Sequence, residues 1–139
     1  MHVGELILGL PVADTQSIFR IGEVTPVALC QPHIAGLTNL RGRIMTVVSL
    51  QSWLENTSAT VDRGALAIGL HVAGEDYALV VDRVGEVIDI VAANRMPMPP
   101  HLGATQARVM EGLYKIGDTL LPVLNVFELF AAEPVPAAV

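Results

Sequence analysis

The side chains in this chain that could carry chemistry are few. Asp82, Glu86 and Asp89 stand close together in "VVDRVGEVIDI" (80–90). Paired carboxylates do acid–base work only when their surroundings push the two pKa values apart. On strands, the ordinary reading of such carboxylates is a solvated face. His2, His33, His71 and His101 never fall at i, i+2 or i, i+4 of one another. Cys30 stands three residues before His33, which makes half a zinc site with no second pair to complete four ligands. Ser49 and Ser52 lack the G-x-S-x-G context of a hydrolase elbow. No phosphate-cradling glycine loop is present. No cofactor is therefore expected. A small β-barrel enzyme or ligand binder using Asp82, Glu86 and a histidine is the alternative reading. Its signature would be a desolvated pocket with converging polar groups.

One cation stands out instead. "GLTNLRGR" (36–43) places Arg41 in a turn between two apolar runs, in a chain with seven arginines and one lysine, Lys115. A guanidinium offers five fixed donors, which suits a protein interface. It equally suits an internal strut to a carboxylate such as Glu23 or Glu86.

Composition limits the partners. Of 139 residues, 52% are apolar and 16% charged, which is enough to build a core and gives no sign of disorder. The net charge is −6. Scattered arginines in an acidic chain give no basic face for nucleic acid or for anionic lipid. No apolar run reaches the ~20 residues of a spanning helix, so no membrane insertion is expected. Met1-His2-Val3-Gly4-Glu5 lacks a basic n-region. Together with a single cysteine, this leads us to expect a cytoplasmic protein.

The elements that must position Arg41 are short strands. Apolar runs recur every eight to twelve residues between Gly, Pro and Asp punctuation: 5–12, 17–21, 43–50, 65–72, 76–84, 86–91, 109–116 and 119–126. That spacing predicts an all-β barrel or sandwich. Two helical turns are expected at 49–56 and 125–132, the second with Asn125 as its N-cap. Residues 56–64 read as a flexible loop, 95–106 as a proline-rich extended crossover, and 133–139 as a flexible tail after a single domain over 1–132.

The chain also repeats itself. "GLTNLRGRIMTVVSLQSWL" (36–54) aligns without a gap to "GLYKIGDTLLPVLNVFELF" (112–130). Upstream, "GELILGLPVADTQSIFRI" (4–21) pairs with "GEDYALVVDRVGEVIDI" (74–90). Two lobes this small must share a core. Trp53 and Leu54, matched by Leu129 and Phe130, are read as plugs closing each barrel. The repeat works as an internal control, because positions that match serve the fold and positions that differ are free for something else. Arg41 aligns with Gly117, Gly42 with Asp118, and Asn39 with Lys115. The second copy makes its turn without an arginine.

"HIAGLTNLRGRIMTVVSL", "ALVVDRVGEVIDI" and "MEGLYKIGDTLLPVLNVFELF" together resemble the signature of CheW-like domains, the coupling proteins of bacterial chemotaxis. The resemblance runs from about Gly4 to about Phe130. It implies two intertwined five-stranded SH3-like β-barrels and a non-enzymatic scaffold. That scaffold would join a chemoreceptor's cytoplasmic tip to the regulatory domain of a CheA-type histidine kinase, in chemotaxis or in a pilus-type pathway. By match to the motif, Asn39, Arg41 and Gly42 would lie at the receptor-facing turn. Thr15, Ser17, Val24 and Gly36 would fall at groove or turn positions. Family members begin with a strand of about seven residues, whereas only Met1-His2-Val3 precede Gly4 here. The first strand is accordingly expected to be missing, leaving the first barrel with an open edge for self-association or for a partner. Thr15-Gln16-Ser17 replaces the family's Val-Gln-Glu. Thr46-Val47-Val48-Ser49 stands where proline and aspartate are usual.

Overall fold

The structure, a computed structural model, describes residues 1–4, 6–27, 33–55, 60–85, 87–88, 94–97 and 109–131. Among these, ten strands and two short helices follow in order: β1 (His2–Val3), β2 (Leu6–Ile7), β3 (Thr15–Arg20), β4 (Ile34–Leu40), β5 (Arg43–Ser49), α1 (Leu50–Glu55), β6 (Leu66–Val72), β7 (Glu75–Val80), β8 (Arg95–Met96), β9 (Met110–Ile116), β10 (Thr119–Leu124) and α2 (Val126–Ala131). A 3-10 turn at Val12–Asp14 precedes β3.

The first lobe is a five-stranded sheet in the order β3-β6-β7-β5-β4. It closes where the chain beyond β3 returns to β4, with Thr25 and Leu37 exchanging both backbone hydrogen bonds at 2.8 and 2.9 Å. The second lobe holds β10-β9-β8 and the β1-β2 hairpin. Gly9 joins these two pieces by bridging Val123 in parallel, with its N–H donating to Pro122 O at 2.7 Å. The lobes are interleaved, because each takes a hairpin from the other half of the sequence. β6-β7 lies in the first lobe through the parallel β5-β7 pair, and β1-β2 lies in the second. The expected all-β architecture of two intertwined five-strand units is the one the chain adopts.

The faces of β6 and β7 explain why neither lobe stands alone. Ile68, Leu70, Tyr77 and Leu79 point into a core shared with Leu124, Val126, Leu129 and Phe130 of the second lobe. Full burial of each aliphatic chain contributes about 1.5–3 kcal/mol. Tyr77 stacks on Phe130 with centroids 4.0 Å apart. Burial, and then the nearby Glu75 charge, pushes the Tyr77 hydroxyl pKa upward. The opposite face lines the first barrel, where small residues, Ala67 and Ala78, leave room for Met45, Val47 and Ile21.

The repeat is preserved in register. Leu40↔Arg43 corresponds to Ile116↔Thr119, and Gly36↔Val47 to Gly112↔Val123. The irregularity that skips Ala35 recurs beside Glu111. Gly36 is buried at φ +148, and a Cβ there would collide with the carbonyl oxygen of Thr25, so the closure of the first barrel requires a glycine.

Several expectations change. Of the run at 5–12, only Leu6–Ile7 is strand, and the proline-rich stretch opens with a true strand, β8. The short N-terminal strand exists as His2–Val3, paired with Leu6–Ile7 and bridged to Arg83. It belongs to the second lobe, so any opening at this edge lies there and not in the first barrel. The hairpin exchange is the reason. Trp53, Leu129 and Phe130, expected as plugs closing each barrel, all pack on the one shared core. Of the strand expected at 86–91, Val87 and Ile88 are not in a strand, and residues 86 and 89–91 lie outside the described residues. So do the side chain of Leu54, the loop residues 56–59, the crossover at 98–106 and the tail at 133–139.

Candidate partner-binding surface

The β4–β5 turn is a two-residue hairpin closed by the Leu40↔Arg43 pair. Arg41 (φ +53) and Gly42 (φ +85) both take positive φ, the handedness that matches the twist of flanking strands. For an L-residue other than glycine this conformation costs roughly 1–2 kcal/mol. In the twin turn the same place is held by Gly117 at φ +59, with no such penalty. Nothing lies within 4 Å of where a Gly42 Cβ would be, so Gly42 answers a need for backbone conformation and not for space.

Asn39 is part of this construction. Its Oδ1 accepts the Gly42 N–H at 2.8 Å across the turn. Leu40 packs against the first-barrel core, which anchors the other side. Arg41 is exposed, and its guanidinium has no hydrogen bond or ion pair among the described residues. Glu23, one candidate strut partner, is exposed and uses its backbone oxygen to accept the Thr38 hydroxyl at 2.9 Å. Glu86, the other, lies outside the described residues.

Arg43, two residues on, behaves oppositely. Its Nη2 donates to Asp76 Oδ1 at 2.8 Å, and His71 Nδ1 meets the same oxygen at 2.8 Å. The His71 hydrogen bond, with Arg43 adding to it against the cost of burial, holds the Asp76 carboxyl below its ordinary pKa. Of the two tip arginines, one is therefore bonded inside the molecule and the other has no bond among the described residues. Sequence reasoning missed this cluster. "HVAGED" did carry half the signal, since a two-residue Ala-Gly turn pairs position 71 with 76. Arg43 joins them only through the parallel β5-β7 pair, which has no local signature.

The remaining expected site residues are distributed. Gly36 is a buried wall position, and Val24 packs into the first barrel. Thr15 is half-buried, with its hydroxyl 3.4 Å from Pro11 O. Ser17 is exposed on β3 opposite Gly69, where a Cβ would stand 2.5 Å from the Ser17 Oγ. β3 and β4 are the two ends of the five-stranded order, and no hydrogen bond links Thr15 or Ser17 to the tip among the described residues. Sequence analysis also passed over Ile44, which is 59% exposed beside the tip and pairs with Asn39. Its repeat mate Leu120 is 51% exposed and pairs with Lys115.

An open cavity of about 450 Å³ borders Arg20, Asp62, Arg63 and Asp82 at one end of the first barrel. These four side chains belong to exposed residues. Asp82 Oδ2 accepts the Gly4 N–H at 2.5 Å, and among the described residues no histidine lines the cavity. It does not bring together the desolvated acid–base pair that the enzyme alternative requires. Among the described residues no three His, Cys, Asp or Glu side chains gather as a metal site. No described helix is long and apolar enough to cross a membrane.

The model of the CheW-like domain family matches residues 1–133. A chemotaxis protein CheW from Treponema pallidum is 23% identical over 95% of this chain and 80% of its own length. One from Klebsiella aerogenes is 26% identical over 90% and 75%. Protein FrzA of Myxococcus xanthus is 32% identical over 70% of this chain and 61% of its own. In structure, the scaffolding protein TtCheW from Thermoanaerobacter tengcongensis superposes with a TM-score of 0.77 at 26% identity, covering 92% of this chain and 82% of that one. With the SH3-like lobes, the register of the repeat and the family match over nearly the whole length, the chain belongs to the CheW-like domain family.

Proposed function

We propose that this protein is a non-enzymatic cytoplasmic scaffold that couples chemoreceptors to a CheA-type histidine kinase. The pathway is chemotaxis or a related signalling route. The tip of the β4–β5 hairpin is the receptor contact, with Arg41 as its charged group and Ile44 as the apolar surface beside it. The observation that carries this reading is the uncommitted, exposed Arg41 held at φ +53 where the twin hairpin uses glycine. A conformationally unfavourable residue with no internal partner makes sense as a residue kept for an external one. The names of the relatives, chemotaxis and scaffolding proteins, support the same direction. Gly36 and Val24 serve the reading by shaping the first barrel behind the tip.

The test is binding of purified protein to a receptor-tip fragment and to the regulatory domain of the kinase from the same organism, wild type against Arg41→Ala. Binding of both by the wild type, with receptor affinity reduced in the variant, supports the proposal. Failure of the wild type to bind either ends it. A second surface, the β2 edge with exposed Leu6 and Ile7, is where self-association would occur. Light scattering across a concentration series tests that part separately, and a constant monomer mass removes it.

A further inference from the structure

We propose that Asn39 is a positioning residue, which fixes the direction of Arg41 through one hydrogen bond and does not itself touch the partner. This rests on the reading of Arg41 as the contact. Hairpin turns with positive φ at both central residues favour Asn-Gly, Asp-Gly or Gly-Gly, and Arg-Gly lacks the residue that makes the first position easy. Ala73-Gly74 makes the same kind of turn, at φ +51 and +82, with His71 in the place of Asn39. A non-glycine residue can therefore take this position, and Asn39 adds a tie that the turn does not require. Asn39 Oδ1 accepts the Gly42 N–H at 2.8 Å, which ties the second central residue to the strand before the turn. Leu40, packed on the first-barrel core, fixes the near side. Arg41 is therefore held from both neighbours while its own side chain is free.

The twin hairpin turns differently. There Lys115 replaces Asn39 and has no acceptor to offer, and Gly117 takes φ +59 while Asp118 is not at positive φ. Among the described residues, two turns hold a non-glycine residue at positive φ. Ala73-Gly74 carries a side chain that ends at Cβ and has no side-chain tie among the described residues, whereas Arg41-Gly42 carries a long cation and has the Asn39 bond. Had Asn39 been kept as a contact, there would be no reason for its oxygen to be occupied inside the turn. Its free NH₂ offers donors, as Arg41 already does. A partner with a carboxylate at this point would be met by the guanidinium, with its planar fork of donors.

A four-protein cycle tests this: wild type, Asn39→Ala, Arg41→Gly and the double variant, each titrated calorimetrically with the receptor-tip fragment. Asn39→Asp, which keeps the acceptor, is the rescue. Asn39→Ala is expected to weaken binding about tenfold, Asn39→Asp by about twofold or less, and Asn39→Ala to add nothing once Arg41 is glycine. Amide exchange at Gly42 should quicken in Asn39→Ala and not in Asn39→Asp. A merely structural role would lower the melting temperature in both backgrounds without this loss of coupling in affinity. Additive losses of affinity would make Asn39 a contact and overturn the proposal alone. Wild-type affinity in Arg41→Gly would overturn the reading of Arg41 and this proposal with it.

Discussion

Ser49 and Asn125 perform the same task at equivalent places. The Ser49 Oγ accepts the Ser52 N–H at 3.2 Å, and the Asn125 Oδ1 accepts the Glu128 N–H at 3.1 Å. The backbone N–H of each donates to an equivalent carbonyl, His33 O at 2.9 Å and Val109 O at 2.7 Å. Each residue thus stands where a strand gives way to a helix, Ser49 as the last of β5 and Asn125 just after β10. Each bonds back to the chain just before the paired strand and caps a six-residue helix. Loss of either cap, by Ser49→Ala or Asn125→Ala, should cost about 1 kcal/mol in urea unfolding. The two sites share no partner, so the losses should add in the double variant.

Gly36 separates need for space from need for conformation. Its Cβ would strike the Thr25 carbonyl, and its φ of +148 disfavours any side chain. Gly36→Ala is expected to destabilise by about 3 kcal/mol or more, because the Thr25–Leu37 closure must open. Gly112→Ala, where the added carbon meets only the Tyr114 ring at 3.0 Å, should cost clearly less. Equal melting temperatures for the two variants would refute this account of the barrel closure.

Much of this is legible in the sequence alone. Gap-free alignment of 36–54 with 112–130 carries β4, β5 and α1 onto β9, β10 and α2, because turn glycines and the two-residue period of strands survive in both copies. Asn125 reads as an N-cap because its amide stands just ahead of an apolar helical run. The interleaving is not legible. Parallel pairing of Thr46 with Tyr77 and of Gly9 with Val123 joins segments with no local turn between them, so nothing short-range marks it. The Arg43–Asp76 pair and the second-lobe home of β1 both follow from that exchange. Asn39 is legible in place but not in role, although N-x-x-G across a tight turn is itself the spacing of a side-chain-to-backbone hydrogen bond.

Asp76 predicts a pH dependence with a definite sign. Its pKa is held below 3.8, first by the His71 hydrogen bond and then, against desolvation, by Arg43. A carboxylate with a lowered native pKa binds fewer protons folded than unfolded. Its contribution is therefore present above the unfolded pKa and is lost as pH falls through the folded one. Arg43 is 57% exposed, so solvent screening keeps the pair's worth at about 1 kcal/mol or less. Asp76→Asn should lower stability modestly at neutral pH, and the gap to wild type should close in acid below the ordinary carboxylate range. A gap that persists undiminished in strong acid would place the effect in packing and not in charge.

Arg41→Gly is the most informative single substitution in the molecule. It installs the residue that the twin hairpin uses at Gly117, so it should relieve the positive-φ penalty and leave stability unchanged or raised by up to about 1 kcal/mol. It also removes a tip cation that has no internal partner among the described residues. If Arg41 were a strut between lobes, the same change would lower the melting temperature, since an ion pair across the shared core would be broken. Thermal unfolding and receptor-fragment titration on this one variant therefore diverge in sign. Stability held or gained with affinity lost marks an external contact, and stability lost with affinity kept marks a strut.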